Sequence, residues 1–244
     1  MNPRIALATT RRVLDQLRAD HRTVALILVV PALLLSLLWW VYDGAPIFDR
    51  LAVTMLGILP MVVMFLVTSV VMLRERTSGT LERLLTTPMH RADLLLGYAV
   101  AFALMAILQA TVLWAVSRWL LGVQTRGPVG WLLLIAAASA AVGVAMGLLA
   151  SAFARTEFQA VQFMPLVIVP QLFLCGLLVA REAMPQLLQW AANVLPLSYA
   201  VEGLRAVASQ TDPSADAVRD VLVLAGFALV ALTLAAVSMP RKTR

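Results

Sequence analysis

Six stretches of the chain contain no Asp, Glu, Lys, Arg or His: Val24–Tyr42, Leu51–Leu73, Leu94–Val116, Trp131–Phe153, Val161–Ala180 and Val221–Met239. Each is 19 to 23 residues long, and about 20 mostly apolar residues suffice for a helix to cross a bilayer. In lipid, a backbone polar group must be satisfied within its own segment or within a closed barrel. The runs lack the apolar–polar alternation of barrel strands, so the sequence predicts an all-α membrane protein with six transmembrane helices. All 32 formal charges lie between or outside the runs.

Composition agrees. Hydrophobic residues make up 61% of the 244 and charged ones only 13%, against roughly 25% charged in a soluble domain. The net charge is +6. In such a chain the excess suggests positive-inside anchoring and lipid contact, not nucleic-acid binding. The single cysteine, Cys175, excludes an intrachain disulfide and a cysteine zinc site. No G-x-x-x-x-G-K-[ST] phosphate loop occurs, so this chain is not itself an ATPase, and no nucleophile elbow or metal-spaced ligand cluster is found. Ion-coupled carriers usually place ionisable groups inside the membrane. These spans offer none, so the energy for any transport must come from elsewhere.

Thirteen of the 19 Lys and Arg residues fall on the side holding the N-terminal segment, the loop after the second run, Arg155 and the C-terminus. The positive-inside rule therefore predicts both termini in the cytoplasm. The first run, closed by Trp39-Trp40-Val41-Tyr42, reads as a retained signal anchor and not a cleaved signal peptide. Before it, Ile5, Leu7, Ala8, Val13, Leu14 and Leu17 interleave with arginines at helical spacing. Residues 1–23 thus read as an amphipathic cytoplasmic helix at the interface, and 24–244 as the membrane domain.

The loop after the second run reads Glu75-Arg76-Thr77-Ser78-Gly79-Thr80-Leu81-Glu82-Arg83-Leu84-Leu85-Thr86-Thr87-Pro88. Thr77 or Ser78 can cap a helix start, Glu82 suits its positive end, and Leu81, Leu84 and Leu85 share one face. Pro88 would end it. The predicted helix is too short to span, and its leucines need a surface. The bilayer, the protein's own helices or a soluble partner could supply it.

This stretch resembles the E-R/K-x-x-G-T-L-E-x-L-L-x-x-P pattern of type-2 ATP-binding cassette (ABC) exporter permeases, a family that includes bacterial drug and antibiotic exporters. A second stretch, Asn193-Val194-Leu195-Pro196-Leu197-Ser198-Tyr199 with Glu202-Gly203-Leu204-Arg205, resembles the family's segment before its last span. The resemblance implies a bacterial inner-membrane permease half that pairs with a second half, identical or different, and with two ABC ATPase subunits. ATP and magnesium would be bound there and no cofactor by this chain. It implies that Glu75, Gly79, Thr80, Leu81, Glu82, Leu84, Leu85 and Pro88 form a coupling helix against the ATPase. It also implies that 181–220 contains a re-entrant element.

In that family the second and fifth spans line the substrate path. Here the second carries Pro60 with Met61 and Phe65, and the fifth carries Phe163, Pro165, Pro170, Gln171 and Phe173. Prolines free backbone carbonyls, while methionine and phenylalanine suit an adaptable apolar cavity. Met61, Phe65, Phe163, Gln171 and Phe173 are the candidate path residues, and the expected substrate is hydrophobic or amphipathic, such as a drug, antibiotic or lipid-linked compound. Gly143 and Gly147 form a G-x-x-x-G close-packing pattern. The rival readings are a non-transporting assembly or structural membrane protein, and a membrane enzyme. The first is distinguished by whether an ATPase co-purifies. The second lacks any cluster of polar catalytic groups.

Overall fold

The computed structural model describes residues 3–43, 45, 47–78, 91–210 and 214–238. Among them the regular structure is helical: α1 (Pro3–Ala19), α2 (His21–Tyr42), α3 (Ile47–Thr77), α4 (Arg91–Ala115), α5 (Val129–Phe153), α6 (Glu157–Leu174), α7 (Gln186–Asn193), α8 (Pro196–Ser209) and α9 (Ser214–Ser238). α4 is extended by a π turn at Val116–Leu120. Helices α2, α3, α4 with its π turn, α5, α6 and α9 are each long and apolar enough to cross a membrane. They match the six uncharged runs, and the protein is a multi-pass membrane protein.

One boundary differs. The fifth run was expected to reach Ala180, but α6 stops at Leu174. Gly176 adopts φ +91°, a left-handed conformation that a side chain would disfavour. Its carbonyl accepts a 2.9 Å hydrogen bond from Arg205 Nη1 instead of continuing the helix. Thr77 also departs from its expected role as a helix start, because α3 runs through it and its hydroxyl donates back to Leu73 O.

The centre of the bundle is α3 against α5. The two run parallel, and three pairs four residues apart face each other in register. Ser139 Oγ donates to Gly57 O at 2.8 Å. A Cβ on Gly143 would overlap Met61 O, and one on Gly147 would stand 2.6 Å from Phe65 O. Bare glycine lets the two backbones meet, which matters in lipid because helix association there depends on close packing. The G-x-x-x-G pattern is therefore a packing seam. α9 and α4 cover other sides of α5, whereas α2, α6 and α9 are mostly uncovered.

At 1.5 Å per residue, the 31 residues of α3 extend about 46 Å, against a hydrocarbon core of about 30 Å. Both ends of α3 therefore reach past the core, and each carries polar structure.

Candidate functional site

The last turn of α3 holds three consecutive charged residues, Arg74, Glu75 and Arg76, and each grips a different helix. Successive helical residues are 100° apart, so three in a row fan outward to three neighbours. Arg74 forms a two-pronged pair with Glu157 at the start of α6, Nε to Oε1 at 2.7 Å and Nη2 to Oε2 at 3.0 Å. Both side chains are half exposed, so the pair contributes position more than stability. Glu75 faces α1, where Arg12 Nη1 lies 3.7 Å from its Oε2 and Gln16 Nε2 donates to its Oε1 at 3.4 Å. Arg76 is buried and donates through Nη1 to the carbonyls of Ser151 and Ala154 at the C-terminal end of α5. Those carbonyls have no partner within their helix, and a cation at the negative end of the helix dipole is favourable.

Helix α1 joins the same junction. Val13 and Leu17 are buried, and Thr10 Oγ1 donates to Gly97 O on α4 at 3.1 Å. A Cβ on Gly97 would lie 2.5 Å from Thr9 Cβ, so this glycine brings α1 onto α4. Arg12 Nη2 donates to Tyr98 Oη at 2.8 Å, with the guanidinium over the tyrosine ring. The inner face of α1 therefore rests on protein, while Leu7 remains exposed. Asp20 separates α1 from α2 and caps the latter, accepting from Thr23 N at 3.2 Å and Thr23 Oγ1 at 2.6 Å. These hydrogen bonds hold its carboxyl below the ordinary aspartate range.

Of the expected coupling residues, Glu75 is the described one and stands at this junction. Gly79, Thr80, Leu81, Glu82, Leu84, Leu85 and Pro88 lie outside the described residues. The junction is thus the base from which segment 79–90 departs.

At the opposite end of the bundle, the second motif builds a short helical hairpin. Pro196 sits in the first turn of α8, where its missing N–H costs nothing. Tyr199 Oη donates back to Asn193 O at 2.8 Å. Glu202 accepts from Arg181 and from Arg219, the latter at 3.2 Å, and Arg181 also donates to Asn193 Oδ1. Gly203 leaves room for the buried Asp220 carboxylate. Arg205 crosses to α3, its Nε donating to Thr54 Oγ1 at 3.1 Å. Burial pushes the Arg205 guanidinium pKa down from its ordinary value.

The five candidate path residues do not come together on one open face. Met61 and Phe65 are wholly buried, because the α3–α5 seam turns that side of α3 inward. Gln171 is buried too, and its Oε1 accepts from Leu197 N at 3.3 Å, filling an open donor in the first turn of α8. Phe163 is half-buried beside Leu73, Ala154 and Ala160. Phe173 alone is well exposed, at 60%. Within this chain, the shared aromatic surface expected from the sequence reduces to part of α6. The Arg74–Glu157 pairing and the Arg76 cap were not anticipated. The run of three charges closing an apolar stretch was the available signal.

The sequence profile of ABC-2 type transporters matches residues 4–208, most of the chain. The chain belongs to the ABC-2 type transporter family. Over 143 residues, 58% of this ABC-2 chain, it is 30% identical to "Probable multidrug ABC transporter permease YbhS" of Escherichia coli K12, covering 38% of that protein. A 166-residue alignment, 67% of the chain, is 28% identical to "Linearmycin resistance permease protein LnrN" of Bacillus subtilis, covering 42% of it. A third, over 139 residues and 57% of the chain, is 28% identical to "ABC transporter G family member 20" of Dictyostelium discoideum, covering 19%. These alignments span less than half the length of each relative. The ABC-2 match takes in both polar ends of α3, from α1 through the α7–α8 hairpin.

Proposed function

We propose that this ABC-2 chain is the transmembrane permease subunit of an ATP-driven exporter, moving a hydrophobic or amphipathic compound out of the cytoplasm. The observation that carries this reading is the Arg74-Glu75-Arg76 junction. A push on segment 79–90 reaches α3 first, and through three side chains it reaches α6, α1 and α5 together. Two ABC ATPase subunits bind and hydrolyse ATP with magnesium, and the stretch from Glu75 to Pro88 is the coupling segment against them, with Leu81, Leu84 and Leu85 as the apolar contacts. The relatives named for multidrug transport and linearmycin resistance support a drug- or antibiotic-like substrate.

The exporter contains a second permease half. Uncovered apolar faces on α2 and α6 support this. Gln162 and Phe173 on α6 are exposed, and a polar glutamine is better accommodated by another protein surface than by lipid. Phe163 and Phe173 then border the path between the halves, with Met61 and Phe65 behind it as packing. The chain lies in a bacterial inner membrane with both termini in the cytoplasm, α1 rests partly on the interface, and the α7–α8 hairpin dips into the outer leaflet.

The test is co-expression with a candidate ABC ATPase subunit from the same organism, followed by detergent purification and assay of ATP hydrolysis with and without apolar drugs. Co-purification and drug-stimulated hydrolysis are expected. A chain that purifies intact without any ATPase refutes the reading.

A further inference from the structure

At the end of α3 opposite the Arg74–Arg76 junction, a cleft of about 880 Å³ opens between the start of α3, loop 124–126, loop 176–180 and the C-terminal part of α8. Three arginines from three different elements line it: Arg50 on α3, Arg126 in the loop before α5, and Arg205 on α8. The one carboxylate in its wall is Asp49. Asp49 lies beyond ion-pair distance of all three, since no such pair occurs among the described residues. Among the described lining residues, three arginines and one aspartate leave a formal excess of about two positive charges at neutral pH, which Glu182, outside the lining but felt by Arg205, offsets in part.

Most other structural arginines in the protein are neutralised or occupied. Arg12, Arg74, Arg181 and Arg219 have carboxylate partners, and Arg76 serves helix-end carbonyls. Arg205 is held rigidly, with Nε on Thr54 and Nη1 on Gly176 O, and its Nη2 has no partner among the described residues. The side chains of Arg50 and Arg126 make no hydrogen bond there either. Arg126 is nonetheless fixed by its backbone, whose N–H donates to Ala208 O at 3.0 Å. Like charges brought together cost energy unless an anion sits among them, and guanidinium groups match the oxygens of phosphate in pairs. The wall is also part apolar, with Val53 and Leu177 inside and exposed Leu178 and Val179 at or beside the rim.

We propose that this cleft binds a phosphate group, carried by an anionic lipid headgroup or free in solution. Arg205 supplies the fixed donor, Arg50 and Arg126 close on the remaining oxygens, and the Leu178–Val179 rim accommodates an acyl chain when the phosphate belongs to a lipid. The occupied cleft ties the start of α3 to α8 and so holds the α7–α8 hairpin down. The site stands on these residues alone and does not depend on the transport reading.

The test uses the full chain, purified and delipidated in a neutral detergent. Its unfolding temperature is followed against phosphatidylglycerol, against diacylglycerol with the same chains, and against inorganic phosphate at constant ionic strength. Phosphatidylglycerol should stabilise the protein and diacylglycerol should not. Stabilisation by inorganic phosphate as well identifies the free ion as a sufficient ligand. The Arg50→Gln/Arg126→Gln variant should need roughly a hundredfold more ligand, about tenfold for each guanidinium–phosphate hydrogen bond removed. Arg126→Gln alone should need about tenfold more. Arg155→Gln, an exposed arginine at the other end of the bundle, should behave as the unaltered protein. The proposal is overturned if neither phosphate probe stabilises the chain, or if the double variant responds as the unaltered protein does.

Discussion

Replacing Gly147 by alanine tests the α3–α5 seam with a single methyl group. The new Cβ would stand 2.6 Å from Phe65 O, 3.1 Å from Thr68 Cβ and 3.2 Å from Ser69 N. Two of those three atoms are backbone and cannot rotate away. A carbon–oxygen approach relaxes at about 3.3 Å or more, so the helices must separate by roughly 0.7 Å at this point. Overpacking of this kind costs about 1–3 kcal/mol. Alanine recovers up to about 1 kcal/mol of helix propensity. The net expectation is a loss of about 1–2 kcal/mol. Gly226→Ala on α9 is the matched control, because nothing lies within 4 Å of the added methyl. It should be neutral or stabilising by up to about 1 kcal/mol. Reversible unfolding in mixed micelles, read by helical circular dichroism, measures both. Equal stability of the two variants would refute the close-packed seam.

Arg76→Ala should destabilise the protein by about 2 kcal/mol, since it leaves buried carbonyls of α5 without a donor; the same unfolding assay checks it, with Arg155→Ala as a neutral reference. Asp20→Ala should cost about 1 kcal/mol through loss of the α2 cap. Because the folded-state pKa of Asp20 is depressed, its contribution is present above the ordinary aspartate range and lost as pH falls through the lower folded value, so the variant and the unaltered chain should converge in stability only in strong acid. For topology, a membrane-impermeant thiol reagent applied to intact cells should reach Ser214→Cys and miss Ser78→Cys in a Cys175→Ser background. Labelling of residue 78 without permeabilisation would reverse the assigned orientation.

The six spans were legible because lipid penalises any charge within them, and that constraint acts on the sequence residue by residue. The end of the fifth span was not, because Val161–Ala180 is uncharged throughout. What ends α6 is Gly176 turning to meet Arg205, 29 residues away. The G-x-x-x-G pattern was visible, but its partner was not. Only the fold reveals that Gly143 and Gly147 receive Met61 and Phe65, and this is why those two candidates lie inside the helix bundle. In the second motif, Asn193, Tyr199 and Glu202 are bonded among the elements between α6 and α9, while Arg205 reaches across to Thr54 on α3. Arg74 and Glu157 are 83 residues apart, and nothing local to either names the other.

The central claim is that force from an ATPase enters at segment 79–90 and spreads through the junction at the end of α3. The direct measurement is ATP-driven movement of an apolar fluorescent dye in proteoliposomes holding the chain and its ATPase. It compares the unaltered chain, Arg74→Glu, and the swap Arg74→Glu/Glu157→Arg. Transport should depend on ATP, fall severalfold in the single variant, where two carboxylates face each other, and recover in the swap while ATPase binding stays constant. Unchanged ATP-driven transport by Arg74→Glu, or dye movement that needs no ATP, would contradict the account.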